Sequence, residues 1–169
     1  MGVRTLFNLL GPLTNPAAAP NQVLGVFSAE WLEPLAQVLG KLGSEHVLVV
    51  HADDGLDEIS IASSTRVAEL KAGSVHSYQV SPDQFGMKTG NVAELAVENA
   101  QQSLAMINRV LDDTPGPAHD IVALNAGAAI YAAGIADSLQ AGVEVAQQAI
   151  ASGAAKQKLK DLIEFSNSV

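Results

Sequence analysis

Residues 23 to 50 read VLGVFSAEWLEPLAQVLGKLGSEHVLVV, and the order of apolar and polar positions in that stretch decides the fold. Val23-Leu24-Gly25-Val26-Phe27 is an apolar run of strand length. Ser28 offers a hydroxyl that can open a helix, and Leu32, Leu35, Leu39 and Leu42 then recur at spacings of three and four. Pro34 falls in the first turn and predicts an irregular start; Gly43 ends the helix. Val47-Leu48-Val49-Val50 is continuously apolar, the mark of a strand buried on both faces, as in a parallel sheet. Strand, helix and strand within about thirty residues make a right-handed crossover unit.

Downstream, Ile59 and Ile61, then Arg66 to Leu70, then Val75 to Val80 read as short strands, with Ala72-Gly73 as a hairpin turn between the last two. After the Ser81-Pro82-Asp83 turn the pattern is weak as far as about Val97. Helices follow. Ala100, Leu104, Ile107 and Leu111 line one face of the first. Pro117 to Gly134 is apolar nearly all round, as expected of a central buried helix. Leu139, Val143, Ala146 and Ile150 line the third, Gly153 stops it, and a lysine-rich helix runs to about Phe165. Upstream, the apolar Leu6 to Leu10 stops at Gly11-Pro12, and Asn15-Pro16 and Pro20 extend the loop by removing amide donors. The expected architecture is α/β, a mixed and mainly parallel sheet flanked by helices, as one domain over residues 1–169.

Composition narrows the function. With 48% hydrophobic and 16% charged residues the chain is globular, while 4% aromatics leaves a core built by close backbone approach more than by large side chains. The absence of cysteine removes disulfides, thiolate metal sites and a cysteine nucleophile. A net charge of −9, with basic residues scattered, argues against a nucleic-acid partner. No apolar h-region follows Met1, and Ala126 to Ala136 falls short of the ~18 residues of a membrane span, so a cytoplasmic protein with no membrane segment is expected.

The strongest chemical signal is His51-Ala52-Asp53-Asp54-Gly55-Leu56-Asp57-Glu58. It leaves the carboxyl end of a buried strand, where open α/β sheets bind their ligands. Gly55 permits a turn tight enough for Asp57 and Glu58 to converge on one ion, and magnesium is held by one or two carboxylates plus phosphates and water. Two readings stand here: a metal site, or a solvated acidic turn. A calcium EF-hand is excluded, because Ser64 occupies the position of its closing glutamate. His51 either orients a carboxylate or serves structure. His46, His76 and His119 show no ligand spacing, and Asn125 reads as a hydrogen-bonding residue of the core. Ser60, Ser63, Ser64 and Thr65 form no nucleophile elbow.

The second signal is Arg4-Thr5-Leu6-Phe7-Asn8-Leu9-Leu10-Gly11-Pro12-Leu13-Thr14-Asn15-Pro16, a helix end entering a rigid loop. A purely structural turn, with Asn15 closing an Asx-turn, also accounts for it.

Together with Asp54-Gly55-Leu56-Asp57-Glu58, the helix around Asn125-Ala126 and the pattern from Ala136-Asp137-Ser138-Leu139 to Gly153-Ala154, this segment resembles the anthranilate phosphoribosyltransferase family over essentially the whole chain. The resemblance implies the large-domain fold shared with class II nucleoside phosphorylases. It implies transfer of phosphoribose from phosphoribosyl pyrophosphate to the anthranilate amine, in tryptophan biosynthesis, with Mg2+ as cofactor. Asp57 and Glu58 match the family's magnesium-binding acidic pair, and Gly11 and Pro12 fall beside the anthranilate passage. The family's Gly-Thr-Gly-Gly-Asp phosphate loop, its Lys-His-Gly-Asn segment and the helical domain of its homodimer contact have no counterpart in these 169 residues. The chain therefore reads as the carboxyl-terminal part of a two-domain enzyme, inactive alone. A pyrimidine nucleoside phosphorylase-like protein and a non-catalytic nucleic-acid-binding paralogue are the rival readings.

Overall fold

The computed structural model describes residues 11–168, so the expectations for Arg4 to Leu10 lie outside the described residues. Four strands form one sheet in the order β1 (Asn21–Gly25), β2 (His46–Ala52), β3 (Thr65–Lys71), β4 (Ser74–Val80). The helix α1 (Leu32–Lys41) carries the crossover from β1 to β2, which pair in parallel from Asn21↔His46 to Gly25↔Val50. Both remaining pairings are antiparallel, β2 with β3 from Ala52↔Thr65 and β3 with β4 from Lys71↔Ser74. The sheet is mixed, as expected, but one parallel pairing among three described corrects "mainly parallel". The reason lies in the connections. Only β1 and β2 are joined by a helix, whereas β3 returns through a loop and β4 through the two-residue turn Ala72-Gly73.

β2 is buried because both its faces are covered. Val47 and Val49 pack with Leu32, Leu35, Ala36 and Leu39 of α1, while Leu48 and Val50 face the opposite layer. That layer contains α3 (Pro117–Ala132) and α4 (Leu139–Ala151), whose Ala123, Leu124, Ala128, Ala132 and Val143 complete a core with Ile59, Ile61, Val67 and Val80. The two helices touch backbone to backbone. A Cβ on Gly127 would stand 2.6 Å from Val143 Cα, and one on Gly142 would overlap the Gly127 carbonyl. Close approach does replace large side chains here.

Local details sort the remaining expectations. Ser28 precedes a short 3-10 turn, Ala29–Trp31, and its hydroxyl donates to Glu30 rather than capping the backbone. The irregular start predicted from Pro34 is that turn. Ile59 and Ile61 are buried but belong to no strand. Instead of a neighbouring strand, a side chain from α3 satisfies the backbone of Ile59. The helix α2 (Ala100–Leu111) is capped by Asn99 as N-cap, yet its apolar stripe is not buried: Leu104 is 54% and Ile107 46% exposed, and Val110 is its one buried residue. Ile107 and Val110 instead line an open apolar hollow with Ile121 and Val122 of α3. The last helix, α5 (Ala154–Ser166), lies on the surface, with Lys156 paired to Asp112 beyond the end of α2.

Candidate functional site

The acidic loop sits where β2 delivers it. Its four carboxylates divide into two kinds. Asp53 Oδ1 accepts from Arg66 Nε at 3.0 Å and Asp53 Oδ2 from Gln79 at 3.5 Å, so the residue ties the loop to β3 and β4 instead of only facing solvent. Asp54 is turned inward: its carboxylate accepts from Leu56 N–H at 3.2 Å and from Ser60 Oγ at 2.5 Å. Ser60 Oγ in turn accepts from Ala62 N–H, and Ser60 N–H donates to Thr65 Oγ1 at 3.0 Å. The serines and threonine that form no nucleophile elbow therefore build the floor of the loop.

Asp57 and Glu58 are different. Both are exposed, and neither carboxylate has a hydrogen bond or an ion pair with a described residue. Their backbone, by contrast, is held from two sides. Gly25 at the end of β1 lies directly beneath Asp57: a Cβ on Gly25 would stand 2.6 Å from the Asp57 carbonyl carbon and would overlap its oxygen. Asn125 of α3 grips the residue after Glu58, its Oδ1 accepting from Ile59 N–H at 2.9 Å and its Nδ2 donating to Ile59 O at 3.0 Å.

Two free carboxylates on a fixed backbone suit a hard cation whose other ligands come from elsewhere. Among the described residues no group of three or more His, Asp or Glu side chains is gathered to hold a metal alone. That donor set fits magnesium, which takes one or two carboxylates and completes its octahedron with phosphate and water oxygens.

His51 serves structure, its Nδ1 lying 2.8 Å from the Val26 carbonyl oxygen. Gly11 and Pro12 open a 3-10 turn, Gly11–Thr14, in which Thr14 Oγ1 donates to Gly11 O. Asn15 Oδ1 then accepts from Ala17 N–H, an Asx-turn. Leu13, Asn15 and Ala19 line a hollow with Gln22, Leu42 and Ser44. This loop thus neighbours the amino-terminal ends of β1 and β2, while the acidic loop leaves the other end. The described residues do not gather the two sequence signals into one pocket.

Sequence reading missed a buried polar cluster at that amino-terminal end. His46 Nε2 lies 2.8 Å from Glu69 Oε1, Tyr131 O–H donates to the same oxygen at 2.7 Å, and Lys71 Nζ donates to Tyr131 Oη at 3.1 Å. Burial pushes the Glu69 carboxyl up, but bonds from Tyr131, His46 and Tyr78 outweigh it and hold the group below its ordinary value. Burial, then the bond to Glu69, raises the Tyr131 phenol. The only signal in the sequence was the alternation of β3, which places Glu69 on an inward position between apolar neighbours.

Comparisons with known proteins cover nearly the whole chain. Residues 1–156 match the model of the glycosyl transferase family, a/b domain. Anthranilate phosphoribosyltransferase of Thioalkalivibrio sulfidiphilus is 63% identical over 168 residues, covering 99% of this chain and 50% of that protein. The crystal structure of anthranilate phosphoribosyltransferase from Thermus thermophilus superposes with a TM-score of 0.88 at 44% identity, over 97% of this chain and 48% of that one. The Saccharomyces cerevisiae enzyme, solved in complex with PRPP and Mg, gives a TM-score of 0.86 at 26% identity, over 99% of this chain and 49% of that one. The chain spans about half the length of the curated relatives it matches. Among the described residues, no helix is long and apolar enough to cross a membrane.

Proposed function

This chain belongs to the glycosyl transferase family of α/β domains, and from that membership we propose that it supplies the magnesium-holding part of an anthranilate phosphoribosyltransferase. The observation that carries the reading is the division of the acidic loop: Asp53 and Asp54 are engaged, while Asp57 and Glu58 stand exposed and have no partner among the described residues. The relatives named for this activity, and the yeast enzyme solved with PRPP and Mg, support it. The reaction joins the anthranilate amine to the ribose anomeric carbon of phosphoribosyl pyrophosphate and releases pyrophosphate.

Each part of the chain has a task in that reaction. Asp57 and Glu58 present hard oxygen ligands on a backbone that the fold holds still, so no reorganisation is needed when charge develops. They would hold a magnesium ion, which would supply charge neutralisation for the departing diphosphate. An aromatic amine attacks without prior deprotonation, so no side chain of this chain is asked to act as a base. Gly11 and Pro12 are assigned to the anthranilate passage on the family resemblance. The glycine-rich phosphate loop, the helical domain and the homodimer contact are assigned to the half of the enzyme outside the match, and residues 1–169 alone are expected to be inactive.

The test compares Asp57→Ala/Glu58→Ala with Asp53→Ala in the enzyme reassembled with its other half. Loss of a few kcal/mol of leaving-group stabilisation lowers turnover by roughly a hundredfold or more in the double variant. Asp53→Ala should stay near wild type, since it removes a surface ion pair. Equal magnesium dependence of the two variants would return the loop to a solvated turn.

A further inference from the structure

We propose that Asn125 is a positioning residue for the acidic pair, acting from the central helix as a one-residue substitute for a β-strand partner. The inference rests on the reading of Asp57 and Glu58 as the magnesium ligands. Ile59 leaves the acidic loop and enters the core, where it is 1% exposed. A buried backbone amide and carbonyl both need partners, and among the described residues no strand pairs with this segment. The Asn125 carboxamide supplies both, accepting from Ile59 N–H at 2.9 Å and donating to Ile59 O at 3.0 Å. Its second amide hydrogen goes to Ile121 O at 3.0 Å, one turn back on α3. With three bonds made, the side chain has no freedom to rotate. The helix below is equally fixed, being packed on α4 through Gly127 and Val143. Glu58 is therefore one peptide away from an anchored point.

No shorter side chain reproduces this. Serine or alanine cannot reach both groups, and aspartate would set an oxygen against the Ile59 carbonyl. A merely structural asparagine would affect stability without changing what the loop binds. The inference says that freeing Ile59 lets Asp57 and Glu58 drift, so cation affinity falls even in a chain that stays folded.

The experiment uses 15N-labelled chain titrated with Mn2+ in the presence of pyrophosphate, with paramagnetic broadening of the Asp57, Glu58 and Ile59 amides as the readout. Wild type, Asn125→Ala and Asp57→Asn/Glu58→Gln are compared. We expect selective broadening in wild type, a midpoint shifted tenfold or more in Asn125→Ala, and none in the double variant. An unshifted Asn125→Ala midpoint beside a silent double variant would overturn the positioning role and leave the acidic pair standing. Broadening in the double variant, or none selective to the loop in wild type, would overturn the pair and the inference with it. Should Asn125→Ala fail to fold, amide exchange in the wild-type chain decides: Ile59 N–H must be protected, and fast exchange there refutes the clamp.

Discussion

Replacing Gly25 with alanine is the sharpest perturbation the fold offers, because the sign of its effect is diagnostic. In a strand with free space, glycine to alanine stabilises by about 0.4–1 kcal/mol through the unfolded chain. Here the new Cβ would stand 2.6 Å from the Asp57 carbonyl carbon and 3.1 Å from Asp57 Cβ. Carbon atoms pack at about 3.5–4.0 Å and the Asp57 oxygen would be overlapped outright, so the acidic loop must retreat by more than about 1 Å or β1 must bend away. Either movement pulls on the two Asn125–Ile59 bonds, each worth about 1 kcal/mol, and adds overpacking strain of about 1–3 kcal/mol. Less the gain of about 0.4–1 kcal/mol from the unfolded chain, the expected loss is about 2–4 kcal/mol in urea-induced unfolding at an unchanged slope, or roughly 5–15 °C in melting temperature for a domain of this size. A Gly25→Ala protein as stable as wild type, or more so, would show that the loop does not rest on β1.

Glu69→Gln tests the cluster at the other end of the sheet. Because the folded state holds this carboxyl below its ordinary value, its contribution is complete above the unfolded pKa, near the ordinary 4.5, and fades as pH falls through the folded value. Denaturation at pH 7 should show a deficit of about 1–3 kcal/mol for the variant, shrinking at pH 3; a deficit independent of pH would refute the charged, hydrogen-bonded assignment. Leu104→Ser and Ile107→Ser should each change unfolding free energy by less than about 1 kcal/mol, since both side chains are about half exposed; a larger loss would mean that α2 buries its stripe after all.

The crossover unit was legible because periodicity and burial coincide there: α1 repeats its leucines against one face of β2, and β2 has no polar residue between Val47 and Val50. Strand direction was less legible. A continuous apolar run reports burial on both faces, and helices on both faces of a mixed sheet produce it as well as a parallel sheet does. Ile59 and Ile61 misled for a related reason, since both are buried in the core shared with α3, and the backbone of Ile59 is satisfied by a side chain 66 residues away. The stripe on α2 misled in the opposite sense: amphipathic spacing says that a face is apolar, not that something covers it. For the site, composition located the acidic loop, but four carboxylates in six residues look alike in sequence. The family resemblance points to Asp57 and Glu58, and the partners of Asp53 and Asp54 add a physical distinction that the sequence does not show, while Gly25 and Asn125 are remote in sequence from the loop they hold.

The seam between α3 and α4 has a thermal consequence. Glycine and alanine have no side-chain rotamers to freeze, so joining Gly127, Ala128 and Ala132 to Gly142 and Ala146 costs little side-chain entropy. The same seam hides little hydrocarbon for each residue ordered. Heat capacity of unfolding follows the apolar area newly hydrated, so this layer contributes less than the ~12–15 cal/mol/K per residue of an ordinary domain. A smaller heat-capacity change flattens a stability curve, so this layer pulls the curve of the whole domain toward a weaker dependence on temperature.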